Sequence, residues 1–268
     1  MRSFLVFTML ASLLAVYLFV SAPPPLEELR AHEGRRVSVR ELFELAAAEN
    51  AAVRQLYTQE IVAAGKRVGL RFDEKWRDEA VEAGPLPALF LRETSVSLDK
   101  SAIGLGLFLG SDFPIRRANQ FTGASAAAFS QLRRDRAPRY FYMDDVSLNT
   151  AMFPDLAVAQ ACVDCHNDHV ESAKHDWKLD DVMGATTWTY PHDDVSLQEL
   201  LSVLAALRNG FRDAYDAYLG KARSFKNPPE IGNQWPANGY YLPTSATFMQ
   251  EVERRTSGPT LKRLLSAS

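Results

Sequence analysis

The chain has 268 residues, of which 47% are hydrophobic and 24% charged, and this composition matches an ordinary globular chain and argues against global disorder. The formal net charge of −3 leaves no basic surplus and argues against a nucleic-acid partner. The chain has only two cysteines, too few for a disulfide-stapled fold, and both lie in the pentapeptide Cys162-Val163-Asp164-Cys165-His166.

The amino terminus has the pattern of an export segment. A short positive start precedes an apolar run from Phe4 to Val20, which is followed by small residues and three prolines. We expect residues 1–22 to be an uncleaved anchor in the bacterial inner membrane, with the protein on the periplasmic side. The alternative is a cleaved signal peptide and a soluble periplasmic protein. The arginines that follow the run favour the opposite orientation, but the cysteine motif described below requires export.

The next segments alternate between helix and strand patterns. After a linker at 23–37, the capping-box spacing of Ser38 and Glu41 predicts a long helix that extends to about Ala64. Glycine-spaced, aromatic and β-branched runs then predict strands, and an alanine-rich run predicts a helix. In chain order these elements are strand 104–109, helix 122–134, strands 139–143 and 150–153, and strand 184–190.

The remaining residues have a helical pattern. A second capping box, from Ser196 to Glu199, opens a long amphipathic helix that continues past Tyr215, and two shorter helices are predicted near 246–255 and 259–265. We therefore expect an α+β fold, in which a long helix and an antiparallel sheet form a domain at 38–192. A helical extension follows at 193–268.

The motif Cys-x-x-Cys-His is the attachment signature of a c-type haem. Cys162 and Cys165 lie one short turn apart, so both thiols can add to vinyl groups of one porphyrin. His166 follows directly and is positioned to ligate the iron on the proximal side. The motif predicts one covalently bound haem c. Haem attachment takes place outside the cytoplasm, so the motif also requires export.

Two other uses of the cysteines stay open. Cys162 and Cys165 with His169 and His175 offer a Cys₂His₂ set for zinc. A redox-active dithiol is the second alternative, but the strand and helix pattern that usually surrounds such a motif is missing.

The sequence offers weaker candidates for the remainder of the haem site. Met183 is the best candidate for a sixth ligand, His175 and His192 are weaker candidates, and an empty or water-occupied sixth position is the alternative. Arg116 and Arg117 are candidates for ion pairs with the haem propionates. Trp177 and Trp188 are candidates for the walls of the porphyrin pocket, with ordinary core packing as the alternative.

At these residues the sequence resembles the c-type haem sensor domains with a PAS-like fold, found ahead of adenylate cyclases and signalling kinases. The resemblance covers about residues 40 to 192. It depends on the order of the elements, on the cysteine motif, and on the stretch from Trp177 to Ala185, which leads into the last strand. It implies a PAS-like antiparallel sheet. The chain departs from the family where it has Arg116-Arg117-Ala118-Asn119 and where it lacks a distal cysteine.

These observations predict a membrane-anchored haem c protein, not an enzyme, that senses redox state or a diatomic gas such as NO, CO or O₂. The alternative is a periplasmic electron carrier. Expected partners are a downstream signalling or electron-transfer protein, and a second copy of the chain is a further candidate. We expect no nucleic-acid partner.

Overall fold

The computed structural model describes residues 36–235 and 242–266. The helices, in chain order, are α1 (Val39–Leu56), a π-helix (Tyr57–Ala63), α2 (Ala64–Arg67), α3 (Pro87–Lys100), a 3-10 helix (Arg117–Asn119), α4 (Gly123–Asp135), α5 (Gln160–Asp168), α6 (Leu197–Arg223) and α7 (Ser245–Ser266). The strands are β1 (Arg36–Ser38), β2 (Phe72–Asp73), β3 (Gly84–Pro85), β4 (Gly106–Gly110), β5 (Arg139–Met143), β6 (Leu148–Leu156), β7 (Val182–Tyr190), β8 (Asp194–Ser196), β9 (Ile231–Gly232) and β10 (Leu242–Pro243).

Both predicted capping boxes start helices. The Ser38 hydroxyl accepts a hydrogen bond from the backbone N–H of Glu41 at 3.3 Å, at the start of α1. The Ser196 hydroxyl accepts one from Glu199 at 3.1 Å, at the start of α6. These bonds satisfy backbone donors that the first turn of a helix leaves without a partner, which confirms both predicted starts.

The first long helix changes character near its middle. The prediction was one regular helix to about Ala64, but α1 ends at Leu56 and a seven-residue π-helix follows before α2. Buried Tyr57, Ile61 and Val62 keep the π segment packed on the core. The apolar pattern marks which face is buried but does not distinguish i→i−4 from i→i−5 hydrogen bonding.

A four-stranded antiparallel sheet in the order β4-β7-β6-β5 forms the centre of the fold. The register places Trp188 of β7 between Leu107 of β4 and Ala151 of β6. These three buried residues face the main core, with α1, α3 and α6. Met152 of β6 and Ala185 of β7 face the other side of the sheet, where they pack with α4. Helices therefore cover both faces of the sheet, and the predicted α+β class with an antiparallel sheet is confirmed.

The C-terminal helices belong to the main core. The described residues from Val37 onward form one compact unit, and buried side chains of α6 and α7 join the core that contains Trp188. Two details differ from the predictions. Helix α3 had not been predicted, and α7 continues through Pro259, where two shorter helices were expected. Pro259 is exposed, and the hydrogen bond from the next residue, Thr260, to the buried Glu49 carboxylate holds this part of α7 against α1.

The predicted membrane anchor and the inner-membrane location need correction. A spanning helix requires about 20 predominantly apolar residues. None of the helices in residues 36–235 and 242–266 is long and apolar enough to cross a membrane. The predicted anchor, Phe4 to Val20, lies outside the described residues.

A buried ion pair connects α1 to α6. Glu49 is 1% exposed, and its carboxylate accepts hydrogen bonds from Arg208 Nε at 3.0 Å and Arg208 Nη2 at 2.5 Å. Thr260 of α7 donates a third hydrogen bond, at 3.4 Å, to the same carboxylate. The pair therefore ties three helices together.

Replacing Arg208 by Met should lower the free energy of unfolding by about 3–5 kcal/mol, because the Glu49 carboxylate then stays buried without its cation. Urea denaturation measures the change. The double variant Glu49→Met/Arg208→Met should recover much of the loss, because it buries no charge. A cost below about 1 kcal/mol for Arg208→Met, typical of surface pairs, would contradict this role.

Candidate haem-attachment site

Both cysteines lie on α5, a short helix fixed at its start. The N–H of Ala157 donates to Asp181 O at 2.9 Å, and the N–H of Asp180 donates to Ala157 O at 3.1 Å. Asp180 adopts a left-handed conformation with φ of 66°, which closes the turn before β7. The chain entering α5 is thus held against this turn.

The helix places its reactive side chains on one side. Residues at i, i+3 and i+4 share a helix face, so Cys162, Cys165 and His166 are neighbours on α5. Val163, by contrast, is buried in a small apolar cluster with Ala157 and Trp177. Both thiols are free; Cys162 is half-buried and Cys165 exposed.

Asn167 fixes the end of α5 to the segment before β7. Its side-chain amide donates to Trp177 O at 3.0 Å and accepts from Trp177 N–H at 2.8 Å. This two-point contact has the geometry of a strand pair, although one partner is a side chain. It holds the Trp177 ring, which is 4% exposed, beside the cysteine helix.

His166 packs edge-on against Trp177, with ring centroids 6.4 Å apart and planes at 86°. Burial lowers the pKa of the His166 imidazole, and neighbouring His169 lowers it further, so the ring is neutral at pH 7. Nδ1 of His166 and Nε1 of Trp177 are buried and have no hydrogen-bond partner among the described residues. A neutral imidazole is the form that ligates a metal.

The Cys165 thiol is not activated as a nucleophile. Burial raises the pKa of the Cys165 thiol, and the nearby Glu74 carboxylate raises it further. A redox-active or metal-binding cysteine usually has a lowered pKa. The electrostatics therefore do not favour the redox dithiol.

The zinc alternative is wrong, and so is the expectation of a metal site built from several protein side chains. The described residues contain no group of three or more His, Cys, Asp and Glu that could hold a metal ion. Both ring nitrogens of His169 are occupied, because Nδ1 accepts from Glu171 N–H at 3.1 Å and Nε2 lies 3.2 Å from Glu74. His175 Nδ1 donates to Asn167 O at 2.6 Å. These bonds hold both histidines away from a shared ion with the cysteines.

The other predicted site residues have different surroundings. Met183 is half-buried and packs against the cluster of Ala157, Val163 and Trp177, so it lies next to α5. Arg116 and Arg117 are exposed in the loop after β4. Trp188 lies in the main core rather than beside α5.

The sequence did not indicate an open pocket of about 550 Å³ beside Trp177, lined by Phe113, Arg133, Ala173, Lys174, His175 and Asp176. Arg133 ends α4 and Phe113 follows β4, so neither is a sequence neighbour of the cysteines. No local pattern could have joined them.

No family model matches the chain, and the comparisons found neither a curated protein nor a solved structure that is similar to it. Nothing in these comparisons or in the part of the chain that the structure describes indicates an enzymatic activity.

Replacing Asn167 by Leu should lower the free energy of unfolding by about 1–3 kcal/mol, because the Trp177 N–H and C=O lose their partner. Urea titration measures the change. Gln160 is the matched control, since its amide bonds to exposed Asp164 on the same helix. Gln160→Leu should change stability by no more than about 0.5 kcal/mol. Equal effects of the two variants would show that Asn167 does not fix Trp177.

Proposed function

We propose that the chain carries one haem c, joined through thioether bonds to Cys162 and Cys165 and ligated by His166. The observation that supports this most directly is the set of donors on α5. Two free thiols and a neutral imidazole share one helix face. This donor set fits a haem, which needs a single protein imidazole, and not a metal ion held by several side chains.

When bound, a haem supplies a redox-active iron with an axial position for a small ligand. The residues of the chain orient its attachment. Asn167 fixes Trp177, the Trp177 ring limits the rotation of His166, and Val163 anchors α5 on the apolar side. Burial keeps His166 neutral, so no proton has to leave the ring before it ligates a metal.

We also propose a PAS-like fold for the sheet and its helices. In support of this, β4 and β7, the first and last strands of the four-stranded sheet, are neighbours in it. The long α1 precedes the sheet, as the family resemblance implies. The haem-attachment helix lies between β6 and β7, and the proposed fold therefore places it at one end of the sheet.

We propose that the protein senses redox state or a diatomic gas and passes the signal to a partner protein. A contact between α1 and the strand that leads to α5 supports this. Arg54, in the last turn of α1, forms an ion pair with Asp155 of β6. Thr186 of β7 donates to the same carboxylate at 3.2 Å. Two residues later the chain reaches Ala157, which helps to fix α5.

An electron carrier is the second candidate. Two exposed apolar side chains flank the cysteine helix, Val158 at 75% and Val170 at 93% exposure. An apolar margin around a redox centre is suited to transient docking of a redox partner. The two functions differ in the sixth position of the iron, since electron carriers fill it with a strong protein ligand.

Substitution of both cysteines by serine should abolish covalent haem. The full chain would be produced in a bacterial host that matures c-type cytochromes, and haem would be measured by pyridine haemochrome absorbance and intact mass. His166→Gln should shift the absorption bands or reduce the attached haem, whereas His169→Gln, on the same segment, should change neither. Full covalent haem in Cys162→Ser/Cys165→Ser would contradict the proposal.

The reduced protein should bind carbon monoxide, and Met183→Leu should leave its spectrum without carbon monoxide unchanged. The reason is that Met183 packs with Val163 and Trp177, the apolar neighbours of the helix that supplies the proximal ligand. The two axial ligands of an iron approach it from opposite faces. Refusal of carbon monoxide by the wild-type protein, together with binding by Met183→Leu, would favour the electron carrier.

A further inference from the structure

The central sheet has two edge strands, β4 and β5, which differ in how their outer sides are covered. An edge strand presents unpaired backbone N–H and C=O groups, which can pair with a strand from another chain. On β4, the Ser95 hydroxyl of α3 donates a hydrogen bond to Leu107 O at 2.6 Å. Within the described residues, the backbone of β5 bonds to β6 and to no loop or side chain. The outer groups of β5 are therefore unpaired there.

The side chains of β5 are suited to further strand pairing. The strand reads Arg-Tyr-Phe-Tyr-Met, and aromatic residues are favoured in paired strands. It has no proline, lysine or bulge, the features that commonly protect an edge strand. Tyr142 is 47% exposed, and Val146 in the turn after β5 is 53% exposed. Pairing along this edge would remove apolar surface from water.

Charged residues of opposite sign flank β5. Asp144 and Asp145 follow the strand and Arg136 precedes it, and all three are exposed. Within the described residues none of the three forms an ion pair or a side-chain hydrogen bond, whereas neighbouring Arg139 pairs with Asp135 at 2.5 Å. The strand therefore has an acidic end and a basic end whose charges are available to a partner.

A second copy of β5 meets these two ends in reverse order. When two β5 strands pair antiparallel around Phe141, the central residue, all five residues of each strand are paired. Phe141 then lies opposite its own counterpart and Tyr140 lies opposite Tyr142, and aromatic cross-strand pairs of this kind stabilise sheets. The same register brings Asp144 and Asp145 of one copy towards Arg136 of the other. This happens at both ends of the strand pair.

We propose that β5 pairs with β5 of a second copy of the chain, so that two four-stranded sheets join into one sheet across a symmetric dimer. A two-fold interface needs a surface that is complementary to itself, and a strand with opposite charges at its ends has this property. The interface is small, and small interfaces form transient complexes, so association should be weak and depend on concentration. The proposal does not depend on a bound haem.

Hydrogen exchange of the full wild-type chain tests which strand forms the interface. Sedimentation velocity over a concentration series measures the monomer–dimer equilibrium. Exchange of the amide hydrogens of β5, read by mass spectrometry, should slow as the dimer fraction rises, because a paired N–H is protected. The peptide that contains β4 is the internal control, and its exchange rate should be the same at every concentration.

Charge reversal tests the register of the strand pair. In Asp144→Arg/Asp145→Arg, like charges meet at both ends of the pair, and the association constant should fall about tenfold or more. Arg136→Glu should weaken association for the same reason. An equimolar mixture of the two variants should associate at least as strongly as the wild-type chain, because opposite charges meet again in the mixed dimer.

Asp99→Arg/Asp216→Arg is the matched control for the first variant. It makes the same change in charge at exposed positions of α3 and α6, and it should associate as the wild-type chain does. Circular dichroism checks that each variant is folded. A chain that stays monomeric would overturn the proposal, as would a wild-type dimer whose β5 exchange does not slow. A mixture that associates no better than its two components would also overturn it.

Discussion

The candidate site depends on the two hydrogen bonds by which the Asn167 side chain holds the backbone of Trp177. Each bond contributes about 0.5–1.5 kcal/mol, a modest share of the stability of a domain. Their main effect is geometric. They fix the indole at the point where the His166 ring, the Phe113 ring and the Lys174 ammonium all contact it. Without this anchor, neither the imidazole nor the pocket would have a defined wall.

Much of the fold could be predicted because local chemistry determines it. The hydroxyls of Ser38 and Ser196 mark helix starts through bonds to residues three positions away. The alternating run from Val182 to Tyr190 reads as a strand because buried sheet positions favour β-branched and aromatic side chains. The α+β class follows from such elements in their order.

The remainder depends on contacts that local patterns do not carry. Helix α3 has Pro87 in its first turn and a polar threonine, Thr94, in the middle of its buried face, and it packs against α6 and β4. The π-helix has the same apolar face as a regular helix and differs only in its hydrogen bonds. Pro259 would end a helix in isolation, but α7 continues through it.

The candidate site also has residues that local sequence patterns reveal and residues that only tertiary contacts reveal. The spacing of Cys162, Cys165 and His166 carries its own chemistry, so the motif was readable without a structure. Asn167 and Arg133 gave no signal, because an asparagine after a histidine and an arginine at a helix end are ordinary surface residues. Their roles arise when α5, α4 and the segment before β7 come together around one indole.

The signal proposed to pass from this site to α1 has a candidate route whose strength can be bounded. Arg54, Asp155 and Thr186 join the last turn of α1 to β6 and β7, with the two ion-pair partners 32% and 19% exposed. Coupling between two sites in proteins is typically about 1–3 kcal/mol, whereas a switch from 1:99 to 99:1 needs about 5.5 kcal/mol. A single part-buried ion pair with one added hydrogen bond cannot supply the larger figure. The contact lies directly before the π-helix, where the hydrogen-bonding pattern of the helix changes. A displacement of β6 would therefore act on the least regular turn of the helix, and the response of α1 should be graded rather than all-or-none.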